Sequence, residues 1–251
     1  MKIRYFSDLH LELLKTNQIE RFIRQIPPGL DEICVLAGDI GNPYEPNYNT
    51  FIKFISKNFK KSFIIAGNHE YYNKKKNMTQ IIKFLTTKFE NFDNISFLNN
   101  NYEIYENHCF IGTTLWSQIT NPYHEINDVY QIKDFNYIKY NRLNTICVNF
   151  LNDAISMNPD MDFVIITHHV PSNDLIDIEY KSPMLAPYNQ WFYCHLNDFI
   201  EKNKDKIKCW IYGHTHTPGT NLIHDVHILC NPIGYPEQHS RADFLKTIEF
   251  L

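Results

Sequence analysis

Phe63-Ile64-Ile65-Ala66-Gly67-Asn68-His69-Glu70 is the stretch on which the fold turns. Phe63 to Ala66 form an apolar run of strand length, rich in aromatic and β-branched side chains. Gly67 then bends the chain, and an amide, an imidazole and a carboxylate follow at once. Four other places repeat the pattern. Ile3 to Phe6 lead into Ser7-Asp8-Leu9-His10, and Ile33 to Ala37 into Gly38-Asp39. Phe163 to Thr167 lead into His168-His169, and Cys209 to Tyr212 into Gly213-His214-Thr215-His216. Between these runs the apolar residues fall at helical spacing, over 18–26, 50–59, 78–89, 143–157 and 191–200. Strand then helix, repeated, predicts an α/β fold. The loops after the strands then gather at one sheet edge, where such folds bind ligands. Short runs over 95–112, and a hairpin over 221–230 around His224-Asp225, predict a second, partly antiparallel sheet. The chain shows no repeat and no Gly/Ser linker, so residues 1–251 read as one domain.

The balance of residues narrows the chemistry. The 251 residues carry 24 Lys and Arg against 28 Asp and Glu, a formal net charge of -4. That argues against holding nucleic acid mainly by a basic field. No apolar run reaches the ~20 residues of a membrane span. The amino-terminal residues lack the apolar core of a secretory signal, so the expectation is cytoplasmic. The six cysteines are scattered without a Cys-x-x-Cys pair, and read as buried free thiols. Histidine, with 12 copies, is the residue type to explain.

The residues at the strand ends explain much of it. They are Asp8 and His10, Asp39, Asn68 and His69, His168, and His214 and His216. Carboxylates, imidazoles and one amide oxygen suit a divalent transition metal. In Asp8-x-His10 and His214-x-His216 the spacing of two lets both side chains of an extended segment face one site.

In this order the blocks Asp8-Leu9-His10, Gly38-Asp39, Gly67-Asn68-His69-Glu70, Thr167-His168 and Gly213-His214-Thr215-His216 resemble the calcineurin-like metallophosphoesterase family. The resemblance runs from residue 3 to about 236. Further strings resemble one bacterial-type branch: Gly112-Thr113-Thr114-Leu115-Trp116, Thr167-His168-His169-x-Pro171-Ser172 and Asn231-Pro232-x-Gly234-Tyr235. That branch often carries a basic residue where this chain has Ile233.

The resemblance implies a four-layer α/β/β/α sandwich with two mixed sheets. It implies two divalent metal ions, manganese foremost, with iron, zinc or nickel as alternatives. Asp8, His10, Asp39 and His216 would hold one ion; Asp39, Asn68, His168 and His214 would hold the other. Asp39 would bridge them, since a carboxylate offers two oxygens. The implied reaction is hydrolysis of phosphate mono- or diesters, a phosphoric ester hydrolase of class EC 3.1. A metal-bridging hydroxide would attack phosphorus in line, and His69 would protonate the leaving oxygen. The substrate would be a phosphate ester, with a nucleotide-derived one among the options.

Two rival readings share these residues: a nuclease on DNA or RNA, and a metal-binding interaction module without catalysis. His169, Trp116 and His124 are candidate substrate contacts. Trp116 belongs to a long aromatic segment, 113–143, that reads either as a stacking wall or as a loop anchored to the body. Glu70 and Asp128 are candidates for orienting a metal ligand or His69. Lys74-Lys75-Lys76 reads as a solvated face. His108, His195, His224, His227 and His239 read as structural, and the five arginines, Arg241 included, form no evident clamp.

Overall fold

The computed structural model describes residues 1–238 and 243–250; His239 and Arg241 lie outside the described residues. In chain order the strands are β1 (Lys2–Phe6), β2 (Gly29–Ala37), β3 (Phe59–Ile65), β4 (Ile95–Leu98), β5 (Asn101–Tyr105) and β6 (His108–Thr113). They continue with β7 (Asp162–Thr167), β8 (Ile207–Tyr212), β9 (Gly219–Ile223), β10 (Val226–Cys230) and β11 (Thr247–Glu249). The helices are α1 (Ile19–Ile23), α2 (Pro46–Asn58), α3 (Met78–Phe89), α4 (Asn127–Gln131), α5 (Tyr137–Met157) and α6 (Asn197–Asn203).

The strands form two mixed sheets. One has the order β11-β1-β2-β3-β4, the other β5-β6-β7-β8-β10-β9. Strands β1 to β4 are mutually parallel, as are β6, β7, β8 and β10; β11, β5 and β9 pair antiparallel at the edges. Both faces of the central strands are buried, which explains their unbroken apolar runs. In β2, Ile33, Val35 and Ala37 face the other sheet, while Cys34 and Leu36 belong to the core shared with the helices. Phe63 and Phe110 stack across the sheet interface with centroids 4.0 Å apart. The layers are therefore helix, sheet, sheet, helix, as the resemblance implies.

Local chemistry explains where elements begin. Pro46 opens α2, where its missing N–H costs nothing. Asn77 and Gln80 form a reciprocal capping box on α3. Helix α5 starts six residues before 143 because the Asn136 side chain accepts from Lys139 N–H at 2.9 Å.

Two expectations need correction. The helix over 191–200 is replaced by a short 3₁₀ turn, Ala186–Trp191, and the later α6. The backbone between them instead bonds Val170: its N–H donates to Phe192 O at 3.0 Å, and Cys194 N–H donates to its carbonyl at 2.8 Å. Nor do the strands over 95–112 all lie together. β4 completes the first sheet, and the chain then crosses to start the second with the β5-β6 hairpin. The hairpin over 221–230 is present as β9-β10. All six cysteines are free and buried. No described helix is long and apolar enough to cross a membrane.

Candidate metal centre

The loops after β1, β2 and β3 of one sheet meet those after β7 and β8 of the other. Their backbones are unusual. Asp8, His10, Asp39, His214 and His216 have φ of 54°, 47°, 52°, 74° and 53°. Each such left-handed non-glycine residue costs on the order of 1–3 kcal/mol, which the surrounding fold must offset. Main-chain bonds lock the loops together. Asp8 N–H donates to Gly38 O and His10 N–H to Asp39 O, both at 3.0 Å, and Gly213 N–H donates to His168 O at 3.1 Å. Close approach explains Gly213: a Cβ there would stand 2.7 Å from Asp8 Oδ2.

Two clusters of ligand-type atoms result. In one, atoms of Asp8, His10 and His216 lie within 4.8 Å of one another; in the other, those of Asp39, His168 and His214 do. Asp39 Oδ2 sits between them, 3.3 Å from His168 Nε2 and 3.9 Å from His10 Nε2. Asn68 Oδ1 lies 2.9 Å from His168 Nε2. His10 Nε2 faces His216 Nε2 at 2.9 Å, and His214 Nε2 is buried with no hydrogen-bond partner. Buried nitrogens and carboxylate oxygens converging in this way are a donor set suited to divalent cations. His10, Glu12 and His69 form a third close group, with one oxygen of Glu12 near Nδ1 of both rings.

Outer contacts aim the inner atoms. His168 Nδ1–H donates to Ala37 O at 2.9 Å, so Nε2 is the nitrogen turned inward and carries the lone pair once the ring is neutral. His216 Nδ1–H donates to Gln238 Oε1 at 2.7 Å, and His10 Nδ1–H donates to Glu12 Oε1 at 3.2 Å. Asp128 accepts from Asn68 Nδ2 at 2.8 Å and from Tyr72 O–H at 2.7 Å, which turns the Asn68 oxygen toward His168.

His69 stands at the edge of the group. Its N–H donates to Asp39 Oδ1 at 2.8 Å, and its Nδ1–H donates to Glu12 Oε1 at 3.0 Å. Its ring stacks on Tyr72 at 4.2 Å, and its Nε2 lies 3.3 Å from the Tyr235 hydroxyl. Burial pulls the imidazole pKa down, but the carboxylates of Asp39 and Glu12 outweigh it and raise it to about 9. Burial also opposes charge on Glu12 and Asp39, yet the histidines around them hold both carboxyls below the usual range.

Glu70 is no surface carboxylate. It is buried and accepts backbone N–H bonds from Gly67 at 2.7 Å, Asp39 at 3.0 Å, Ile40 at 2.7 Å and Gly41 at 3.3 Å. It fixes two loops of the centre and does not orient the His69 ring.

A cavity of about 420 Å³ opens on Asp39, Asn68, His69, His214 and His216. The candidate substrate contacts do not line it. Trp116 is 2% exposed and packs on Tyr71, Phe135 and Tyr140, because α5 covers it. His169 is fully buried, with Nδ1 3.1 Å from Thr114 O and Nε2 2.6 Å from the Tyr140 hydroxyl. Its ring lies 4.3 Å from that of His214, so it buttresses that side chain, and burial with nearby His168 lowers its pKa to about 3. His124 lies outside the lining, its ring 5.2 Å from Tyr188. Of the 113–143 segment, Tyr130 reaches the cavity while Phe135 and Tyr140 anchor the segment. His108, His195, His224 and His227 do not line it either, and Lys74 to Lys76 are exposed. Sequence reading missed Glu12 and Tyr72, and gave Tyr235 no role although it ends the Asn231-Pro232-x-Gly234-Tyr235 string; the alternation Asp8-x-His10-x-Glu12 was the available signal for the first, and Tyr72 carried none.

Comparison with known proteins agrees with this architecture. An uncharacterized protein of Acanthamoeba polyphaga mimivirus is 31% identical over 269 residues, covering 96% of this chain and 93% of that one. The phosphopantetheinyl hydrolase of Mycobacterium tuberculosis shares the fold with a TM-score of 0.71 at 14% identity, over 98% of this chain and 95% of that one. A Staphylococcus aureus structure described as a 5′-nucleotidase aligns with a TM-score of 0.50 at 16% identity, over 96% of this chain and 49% of that one. The model of the calcineurin-like phosphoesterases matches residues 1–218, which include every loop of the centre described above. By that match and by its two-sheet architecture, the chain belongs to the calcineurin-like phosphoesterase family.

Proposed function

We propose that residues 1–251 act as one domain, a metal-dependent phosphoric ester hydrolase that cleaves phosphate esters by in-line displacement. The observation that carries this reading is the placement of Asp39 Oδ2 between two buried ligand-type clusters, with His69 Nε2 3.9 Å away on the cavity side. Asp8, His10, Asp39 and His216 would hold one divalent cation, and Asp39, Asn68, His168 and His214 a second, with manganese the first choice. Such cations supply positive charge for phosphoryl oxygens and lower the pKa of a water toward neutrality.

The chain's own residues do the rest. His69, whose protonated form Asp39 and Glu12 favour, gives its Nε2 proton to the leaving oxygen. Glu12 holds Nδ1 of that ring, so Nε2 is the nitrogen presented to the cavity. Tyr72 fixes the ring plane from one side. Asp128 and Ala37 O keep Asn68 and His168 turned inward. No described Lys or Arg lines the cavity, so the described residues offer no basic track of the kind a nuclease would use.

The test is chelation followed by metal return. Removal of metal should abolish hydrolysis of bis(p-nitrophenyl) phosphate, and manganese should restore it. His69→Asn should keep its bound metal and lose about 10²–10⁴ in turnover. Activity that survives chelation contradicts the reading.

A further inference from the structure

The cavity beside the centre is rich in aromatic rings: Tyr72, Phe192 and Tyr235 pack against the centre's own side chains, and Tyr130, Tyr180 and Tyr188 extend the wall. Outside the ligand-type residues, the polar groups among them are Asn127, Asn189, Thr215 and Gln238, with the carboxylates of Asp128 and of Glu125 at the rim. At about 420 Å³ the space suits an organic group and exceeds what a bare phosphate needs. A second cavity of about 400 Å³ adjoins the first and shares His216 with it. Its lining includes Asp177, Glu179, Glu237 and Ile233, with no described Lys or Arg. His216, Tyr180 and Gln238 line both cavities, whereas His69 lines the first alone.

Two cavities that meet at one ligand-type residue, His216, fit the two arms of a diester; a monoester would fill one of them. The first cavity offers π-faces for stacking and, beyond the histidines of the centre, no described cationic side chain for an anion. The second offers carboxylates, which repel an anion and attract an amine. The proton donor stands in the first, so the arm that lies there is the arm that leaves.

Resting on the phosphoesterase reading above, we propose that the substrate is an unsymmetrical phosphodiester. Its flat, uncharged arm occupies the aromatic cavity and departs. Its uncharged or amine-bearing arm occupies the acidic cavity and keeps the phosphate. A water oxygen forms the new bond to phosphorus as the bond to the flat arm's oxygen breaks. That oxygen keeps the bonding electron pair and takes a proton from His69, which the water's proton later replaces. The products are a neutral alcohol and a phosphomonoester. A further phosphate on either arm is disfavoured, since it would face Glu125 on one side or three carboxylates on the other.

Thymidine 5′-(2-aminoethyl) phosphate tests the assignment with the manganese-loaded full-length protein. The expected products are thymidine and aminoethyl phosphate. Thymidine monophosphate with ethanolamine, or an even mixture of both pairs, overturns it. A 3′-phosphate on the thymidine should lower kcat/KM about tenfold or more; an unchanged value counts against the charge argument. Tyr188→Ala, at the half-exposed rim, should cut by about tenfold the preference for the thymidine arm over a matching deoxyribose arm. An undiminished preference removes the stacking wall. Bis(p-nitrophenyl) phosphate separates the two levels. Its turnover, together with an even mixture of products from the thymidine diester, sinks this proposal alone, and its inertness with every metal sinks the phosphoesterase reading as well.

Discussion

Glu12 Oε1 lies 3.0 Å from His69 Nδ1, and the same oxygen lies 3.2 Å from His10 Nδ1. One carboxylate thus sets the orientation of a candidate ligand and of the candidate proton donor together. Glu12→Gln removes the charge and keeps the shape. The expected result is a fall in kcat of about 10–100-fold on alkyl diesters. The fall should be smaller on p-nitrophenyl esters, whose leaving oxygen needs less help. Steady-state rates over a leaving-group series check this; an equal loss across the series would place Glu12 outside proton transfer.

Glu70 predicts a stability effect. Four backbone N–H groups donate to its carboxylate, and Gln would turn an amide NH₂ toward some of them. Glu70→Gln should destabilise the protein by about 1.5–3 kcal/mol. Urea unfolding of the metal-free protein measures it, and an unchanged midpoint would contradict the arrangement.

The strand ends and the two-sheet plan were legible in the sequence, because both rest on local signals. Apolar runs mark the buried strands, and Asp8, Asp39, Asn68 and His214 follow them within a few residues. Trp116 was not legible. Its neighbours Tyr71, Phe135 and Tyr140 come from three other places in the chain, and burial by α5 is a tertiary property. Glu70 was legible only in part: of its two expected partners, a ligand or the His69 ring, it holds the backbone of the ligand-type residue Asp39, together with Ile40, Gly41 and nearby Gly67, and contacts about 30 residues away leave no local signal. The cavity's tyrosines are spread from Tyr72 to Tyr235 and share no motif.

Protonation predicts the pH dependence of metal uptake. Burial lowers the His168 pKa, but Asp39 outweighs it and lifts it from the ordinary 6.5 to about 10. A folded pKa above the unfolded value stabilises the metal-free protein fully below about 6.5, and that share is lost as pH rises through about 10. A cation needs the neutral ring, so it must displace the proton, and apparent affinity should rise with pH across the same window. Calorimetry in two buffers of different ionisation enthalpy should show proton release at pH 7.5. A pH-independent affinity from 6.5 to 9 would contradict it.

Gly213→Ala tests the tight approach of two loops. The added methyl would meet Asp8 Oδ2 at 2.7 Å and Ser7 Cβ at 2.8 Å, and the neighbouring His214 N–H already donates to both Asp8 oxygens. The variant should bind fewer cations, by about one per chain, at unchanged secondary structure. Elemental analysis after gel filtration measures this, and a full metal content would show that the loops yield.

The division of the centre between sheets has a mechanical consequence. Asp8 and His10 follow β1, while their cluster partner His216 follows β8; Asp39 follows β2, while His168 and His214 follow β7 and β8. Neither sheet alone carries a complete cluster. A cation in either one would be a clasp, drawing together two slabs that otherwise meet through side chains such as Phe63 and Phe110 and through backbone bonds between Ser7, Asp8 and the segment 231–234. Metal loss would then loosen the seam between the slabs before it unravels either.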